Sequence, residues 1–310
     1  MLLKRLLIIA LFILVAAPAA RADALADAYA YDVSSPLNAS VREITQSRDF
    51  TQFHVEYDSA NGERVPALLN IPTAGQPPYP CVIAQHGYSS RKEDNIIFAL
   101  ALARLNICMF AIDAQYHGER SQTGRDIFST DIDDDVKALI QTVVDLRRAV
   151  DYLQSRADVK PDRIGYIGVS MGGIIGSIFT GVDARVQAPI LIVGGGGWRT
   201  LVTLSQIGPA VTMRKHLEKQ GMDVDEIVKR FSAVEPLNFI GRVAPRPLLF
   251  INGKRDTLVP PEANKLLHDA AGEPKTIVWF DGIEGEPTGH IPPITDILEI
   301  CKDWWRENLL

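Results

Sequence analysis

Three cysteines in 310 residues are too few, and odd in number, for a chain held together by disulfides in the manner of small secreted scaffolds. No cluster of Lys and Arg stands out, and the formal net charge is -6. Binding to a phosphate backbone needs concentrated cations, so nucleic acid is not the expected partner. No repeat, low-complexity stretch or Pro/Gly-rich linker divides the chain. What is present is 46% hydrophobic and 23% charged residues, an ordinary globular balance that excludes collagen-like and disordered classes. The length allows one large domain or two smaller ones.

The amino terminus is distinct. Lys4 and Arg5 precede an apolar run from Leu6 to Ala17, and Ala20-Arg21-Ala22 places small residues at the -3 and -1 positions. Charge, then apolar run, then small residues is the order of a secretory leader cleaved after Ala22. A retained anchor is the competing interpretation, but the run falls short of the roughly 20 apolar residues that span a bilayer. The expectation is a signal peptide over residues 1–22, export to the periplasm or the medium, and a mature domain over residues 23–310 with no stable membrane anchor. Removing the leader takes away three cations and no acid, which deepens the negative charge. In an oxidising compartment two cysteines gain interest, since Cys81 lies five residues before His86 and Cys108 five before Asp113. If their segments are neighbouring parallel strands ending at one level, the thiols come close. The plainer alternative is two small buried hydrophobes.

Further along, the pattern alternates strands and helices. Phe53, Val55 and Tyr57 alternate with polar residues, Asn61-Gly62 marks a turn, and Val65 to Ile71 continues, which predicts an antiparallel hairpin. Short apolar runs then follow at Cys81 to Gln85, Ile107 to Ile112, Arg163 to Val169, Val186 to Val193, Pro247 to Asn252 and Thr276 to Phe280. Between them lie helical spacings at Ile96 to Leu105, Asp131 to Arg156 and Ile294 to Asn308. Buried strands alternating with helices predict an α/β domain with one mostly parallel sheet, helices on both faces and an antiparallel amino-terminal edge. One interval is too long for a simple crossover, Trp198 to Ile240. It predicts two or three short helices inserted above the sheet as a lid.

Ser170 is the most informative residue. The segment Ile164-Gly165-Tyr166-Ile167-Gly168-Val169-Ser170-Met171-Gly172-Gly173 is an apolar strand running into G-x-S-x-G and then a helix. A nucleophile on a sharp strand-to-helix turn sits in strained backbone, and the flanking glycines leave room for the tight approach. Serine needs a base. Of six histidines, His290 alone follows both the serine and a suitable acid, in a loop after the last strand candidate where open α/β sheets form their sites. The acid that orients the imidazole is expected at Asp256, which follows its own strand; Asp281 is the rival, nine residues before His290. Asp223 and Asp225 fit a helix start instead. Two backbone N–H groups must face the oxyanion, and those of Met171 and Tyr88 are the candidates. His86 and His117 are expected to brace loops.

Taken together, His86-Gly87-Tyr88, Gly168-Val169-Ser170-Met171-Gly172, Asp256 with Val259-Pro260, and His290 resemble the α/β-hydrolase superfamily. Within it the chain looks like secreted bacterial serine esterases similar to dienelactone hydrolases and to the catalytic domain of prolyl-oligopeptidase-type enzymes. The resemblance covers essentially the whole mature chain and implies an α/β-hydrolase fold. Three departures stand out. Ser occupies the elbow where dienelactone hydrolases proper carry Cys, and no propeller domain is present. The Arg-Gly-Gln-Gly of acetyl xylan and cephalosporin C deacetylases is absent too, which weighs against the peptidase and deacetylase assignments.

Other chemistries fail on spacing. Gly194 to Gly197 lacks the Lys-Ser/Thr of a phosphate loop. Asp131, Asp133 and Asp135 imitate a calcium loop, but Val136 stands where glycine is required, so they fit a helix start. No cofactor and no metal is expected. The predicted activity is hydrolysis of small-molecule carboxylic esters through Ser170, His290 and Asp256 and an acyl-enzyme. An amidase or peptidase, or a non-catalytic binding protein on the same fold, is the alternative. Oligomeric state, acyl preference and a Cys81–Cys108 bond stay open at this point.

Overall fold

The computed structural model describes residues 25–310; the expected leader lies outside them. Nine strands form one sheet in the order β1-β2-β3-β5-β4-β6-β7-β8-β9. They are β1 (Ser40–Gln46), β2 (Phe50–Asp58), β3 (Arg64–Pro72), β4 (Tyr79–Gln85), β5 (Cys108–Ile112), β6 (Val159–Val169), β7 (Val186–Ile192), β8 (Leu248–Gly253) and β9 (Lys275–Phe280). From β5 to β9 every pairing is parallel. The first three strands are antiparallel, and β3 is antiparallel to β5. Strands β4, β5 and β8 are buried at every residue, which is why they read as continuous apolar runs rather than alternating ones.

Helices cover both faces. On one side α1 (Ile96–Ala103) and α8 (Ile294–Asn308) pack Phe98, Leu102, Ile297 and Trp305 against Val82, Met109, Ile167 and Leu249. On the other lie α2 (Ile132–Gln154), α3 (Met171–Val182) and a helix over Pro261–Ala270, with Leu139, Val143, Ile175 and Leu267 in the second core. Asp131 caps α2 by accepting from Asp134 N–H at 3.2 Å, and acids fill its first turn, complementing the helix dipole.

The edge differs from the expected hairpin by one strand. β1 lies outside β2, exposed at every residue. Its register shifts between Glu43 and Thr45, so Val41 and Ile44 do not keep the period of two that marks a strand in sequence. Between β7 and β8, α4 (Trp198–Leu204), α5 (Gly208–Gln220) and α6 (Val224–Arg230) are followed by three short 3-10 turns. Glu235 ties this segment together, accepting from Gly197 N–H and Trp198 N–H at 2.8 and 2.9 Å. In the Pro261–Ala270 helix, numbered α7, His268 bonds Asn252 at 3.0 Å.

Cys81 and Cys108 are register partners on parallel β4 and β5, so the geometric condition for proximity holds. All three cysteines are nevertheless free and buried. Burial, and for Cys81 the adjacent Cys108 as well, pushes their thiols well above the usual range, which keeps them unreactive.

The order β5-β4-β6 matters most for function. The chain leaves β4 toward β5 on one side and returns to β6 on the other, so the carboxyl ends of β4 and β6 flank a topological switch point. Gln85 and Gly168 are register partners there. The loop carrying Tyr88 and the turn carrying Ser170 therefore start side by side.

Candidate active site

Ser170 connects β6 to α3 with φ 55° and ψ -116°, backbone that a residue with a Cβ rarely adopts. The turn is feasible because of its glycines. A Cβ on Gly168 would overlap the Gly172 carbonyl, and one on Gly172 would overlap the Gln85 carbonyl. Helix α3 is thus pressed directly onto the end of β4. Gly87 brings the loop carrying Tyr88 equally close, with its Cβ position 3.4 Å from Ser170 Cβ.

The structure brings Ser170, His290 and Asp256 into one hydrogen-bonded line. His290 Nδ1 donates to Asp256 Oδ2 at 2.7 Å, and its Nε2 lies 2.9 Å from Ser170 Oγ, placed to accept the hydroxyl proton. All three are buried. Asp256 Oδ1 accepts from Leu258 N–H and Val259 N–H at 2.8 and 2.9 Å, which fixes the carboxylate edge-on to the imidazole. The two loops are joined by Thr257 N–H donating to Thr288 O at 2.8 Å. Gly289, at φ 68°, passes so close to the Arg255 carbonyl that a Cβ would overlap it. The rival Asp281 points away, 82% exposed and paired with Lys254 at 2.8 Å. Asp223 caps α6 through Asp225 N–H.

Tyr88 and Met171 flank the serine, and among the described residues neither amide N–H donates to another backbone carbonyl. They remain available for a developing oxyanion, with the amino-terminus of α3 behind them. His86 donates from Nδ1 to Gly87 O at 2.8 Å and accepts from Ala114 N–H through Nε2 at 3.1 Å. Burial lowers its pKa to about 4, so it stays neutral and braces the loop. His117 braces its own turn through a hydrogen bond between Nδ1 and Gln115 O at 2.9 Å.

A cavity of about 80 Å³ opens beside Ser170. The inserted helices roof it with Trp198, Leu201, Val202 and Met213, and Phe128, Ile174 and Phe231 complete its apolar wall. Sequence reasoning foresaw the roof but not Phe128, Ser129, Ile174 or Asp135 in this lining, and Asp135 matters most. Asp135, assigned to a helix start, faces inward and is 1% exposed; burial raises its pKa to about 7. The signal was present, because Asp135, Ala138, Leu139 and Thr142 share one face of α2 at helical spacing, and all are buried.

Residues 22–291 match the family model described as acetyl xylan esterase (AXE1). The chain belongs to the acetyl xylan esterase family. It is a carboxylic ester hydrolase with an α/β-hydrolase fold. Among curated relatives, the putative hydrolase YtaP of Bacillus subtilis (strain 168) is 30% identical over 217 residues, 64% of this chain and 68% of that one. Esterase YjfP of Escherichia coli (strain K12) is 25% identical, covering 82% of this chain and all of the relative. Among solved structures, an acetyl xylan esterase from Paenibacillus sp. R4 superposes with a TM-score of 0.75 at 21% identity, over 92% of both chains. The family match stands without the Arg-Gly-Gln-Gly tetrapeptide, so its absence does not set this acetyl xylan esterase family chain apart from the deacetylases.

Proposed function

We propose that Ser170 is the nucleophile of a short-chain acyl esterase. Ser170 Oγ attacks the ester carbonyl while His290 takes its proton; Asp256 holds the tautomer and balances the imidazolium. The N–H groups of Tyr88 and Met171 receive the oxyanion, His290 returns the proton to the departing alcohol, and water repeats the cycle on the acyl-enzyme. The observation that carries this reading is the unbroken Asp256–His290–Ser170 line at 2.7 and 2.9 Å.

Size argues for the acyl side. The cavity of about 80 Å³, walled by Trp198, Leu201, Met213 and Phe231, suits a short alkyl chain of one to three carbons beyond the carbonyl, acetyl to butanoyl. The family description points to acetyl esters of a sugar polymer. On the other side of Tyr88 lies a larger cavity of about 560 Å³, with Ser89, Ser90, Asp94, His117 and Arg125 around it. Its polar lining suits a hydroxyl-rich alcohol. A fluorophosphonate probe is expected to label Ser170 alone, and ester turnover is expected to fall steeply beyond butanoyl. An unlabelled Ser170, or labelling at another serine, overturns the assignment.

Export is part of the same proposal, supported by the charged, apolar and small-residue order of residues 1–22. Expressed with its full sequence in a bacterium, the protein is expected in the periplasm or medium with Asp23 at its amino-terminus. Retention of Met1 in the soluble cytosolic fraction would rule export out.

A further inference from the structure

The wall of the cavity beside Ser170 is apolar except for five side chains: Tyr88, Ser129, Asp135, Ser170 and Ser205. An accounting of their protons decides what the cavity can recognise. The Tyr88 hydroxyl donates to Asp126 Oδ2 at 2.5 Å. Ser205 Oγ donates to Leu258 O at 2.6 Å and accepts from Ile207 N–H at 3.2 Å. Ser129 Oγ lies 2.7 Å from Asp135 Oδ1 and accepts from Asp131 N–H at 2.9 Å. The Ser170 proton is directed to His290. Among the described residues, the Asp135 carboxyl is bonded to Ser129 alone, by Oδ1 as above and by Oδ2 accepting from Ser129 N–H at 2.8 Å. Two of the roughly four acceptor positions of a carboxyl are therefore open, in a group 1% exposed to solvent. Among the described residues no cation pairs with it; the charged groups acting on it are Asp126, from the loop before α2, and Asp134 on its own helix. Asp126 is in turn the acceptor for Tyr88 of the oxyanion loop, and the inserted helices turn only Trp198, Leu201, Met213 and other uncharged side chains toward the cavity.

We infer that Asp135 is a specificity-determining residue that accepts a hydrogen bond from a hydroxyl carried by the acyl group bound beside Ser170. Asp135 and Ser170 line the same cavity, so an acyl group bound beside Ser170 shares its space with this carboxyl. A purely alkyl acyl chain leaves a buried carboxyl facing it without a partner, whereas a chain ending in a hydroxyl supplies one. The preferred substrates are then short hydroxyacyl esters over alkyl esters of the same length. This rests on the reading of Ser170 as nucleophile and of the small cavity as the acyl site.

The test compares phenyl butanoate with phenyl 3-hydroxypropanoate, which differ by a terminal methyl against a hydroxyl. The wild-type protein is expected to favour the hydroxy ester by about tenfold in kcat/KM. Asp135→Asn, which keeps an acceptor oxygen, is expected to retain much of that preference, and Asp135→Leu to reverse it while still labelling with the fluorophosphonate. A wild-type ratio near one overturns the inference by itself, whether or not Asp135→Leu folds. An unchanged ratio in a labelled Asp135→Leu protein overturns it equally. If Ser170 is not the nucleophile, labelling of Ser170 itself fails in every variant, which separates that failure from an incorrect role for Asp135.

Discussion

Ser170→Ala is expected to lower kcat on an activated ester by about 10⁵ to 10⁶, the loss typical of removing a nucleophile from a three-residue unit. Asp256→Asn is expected to cost about 10⁴, because Leu258 N–H and Val259 N–H hold the amide oxygen and its NH2 then faces Nδ1, which fixes the imidazole in the wrong tautomer. The comparison that gives the series its force is Asp281→Asn. Both acids follow strands near His290 in sequence, but Asp256 lies 2.7 Å from Nδ1, whereas Asp281 is exposed and bound to Lys254. Asp281→Asn should therefore leave kcat within about twofold, since exposed ion pairs contribute little. Burst and steady-state release of nitrophenol from its acetate measures all three. Comparable losses for Asp256→Asn and Asp281→Asn would contradict this assignment of the acid, and a Ser170→Ala protein with ordinary turnover would contradict the nucleophile.

The residues brought together here were legible in sequence for a physical reason. In a parallel sheet each strand delivers its following loop to the same edge, so chain order points to Ser170 and His290 from the ends of β6 and β9 and leaves Asp256, after β8, with Asp281 as its rival. The Gln85–Gly168 register likewise follows from two short apolar runs being neighbours, and Tyr88 from the loop after the first of them. Where the pattern depends on register detail, sequence says less. β1 escaped because the irregularity between Glu43 and Thr45 breaks its alternation. The helical insertion was evident from its length, yet which of its side chains face the cavity depends on packing against Phe128 and Phe231. Asp135 was assigned to a helix start because acids near a helix amino-terminus are ordinarily solvated. Its spacing with Ala138, Leu139 and Thr142 marked the buried face of α2, but that the loop holding Ser129 closes over it is a tertiary contact.

The tightness of that same sheet edge sets the second large effect. Gly172→Ala is expected to destabilise the fold by roughly 3 kcal/mol, at the upper end of overpacking costs, and to lower kcat by about 10² or more in whatever protein still folds. The added methyl group would overlap the Gln85 carbonyl oxygen and come within 2.9 Å of His86 O. Both are backbone atoms, one at the end of β4 and the other beginning the oxyanion loop, so no flexible side chain can move aside. Helix α3 would have to withdraw, carrying Ser170 and Met171 N–H away from Tyr88 N–H and spreading the two donors proposed for the oxyanion; losing one such donor costs about 10² to 10³ in kcat. Gly208→Ala is the control, because a Cβ there meets nothing within 4 Å. As alanine is the better helix former, that variant should change stability by no more than about 0.5 kcal/mol, in the favourable direction. Denaturant midpoints together with ester turnover separate the two cases. A Gly172→Ala protein with the wild-type midpoint and kcat would show that β4 and α3 are not in the contact described.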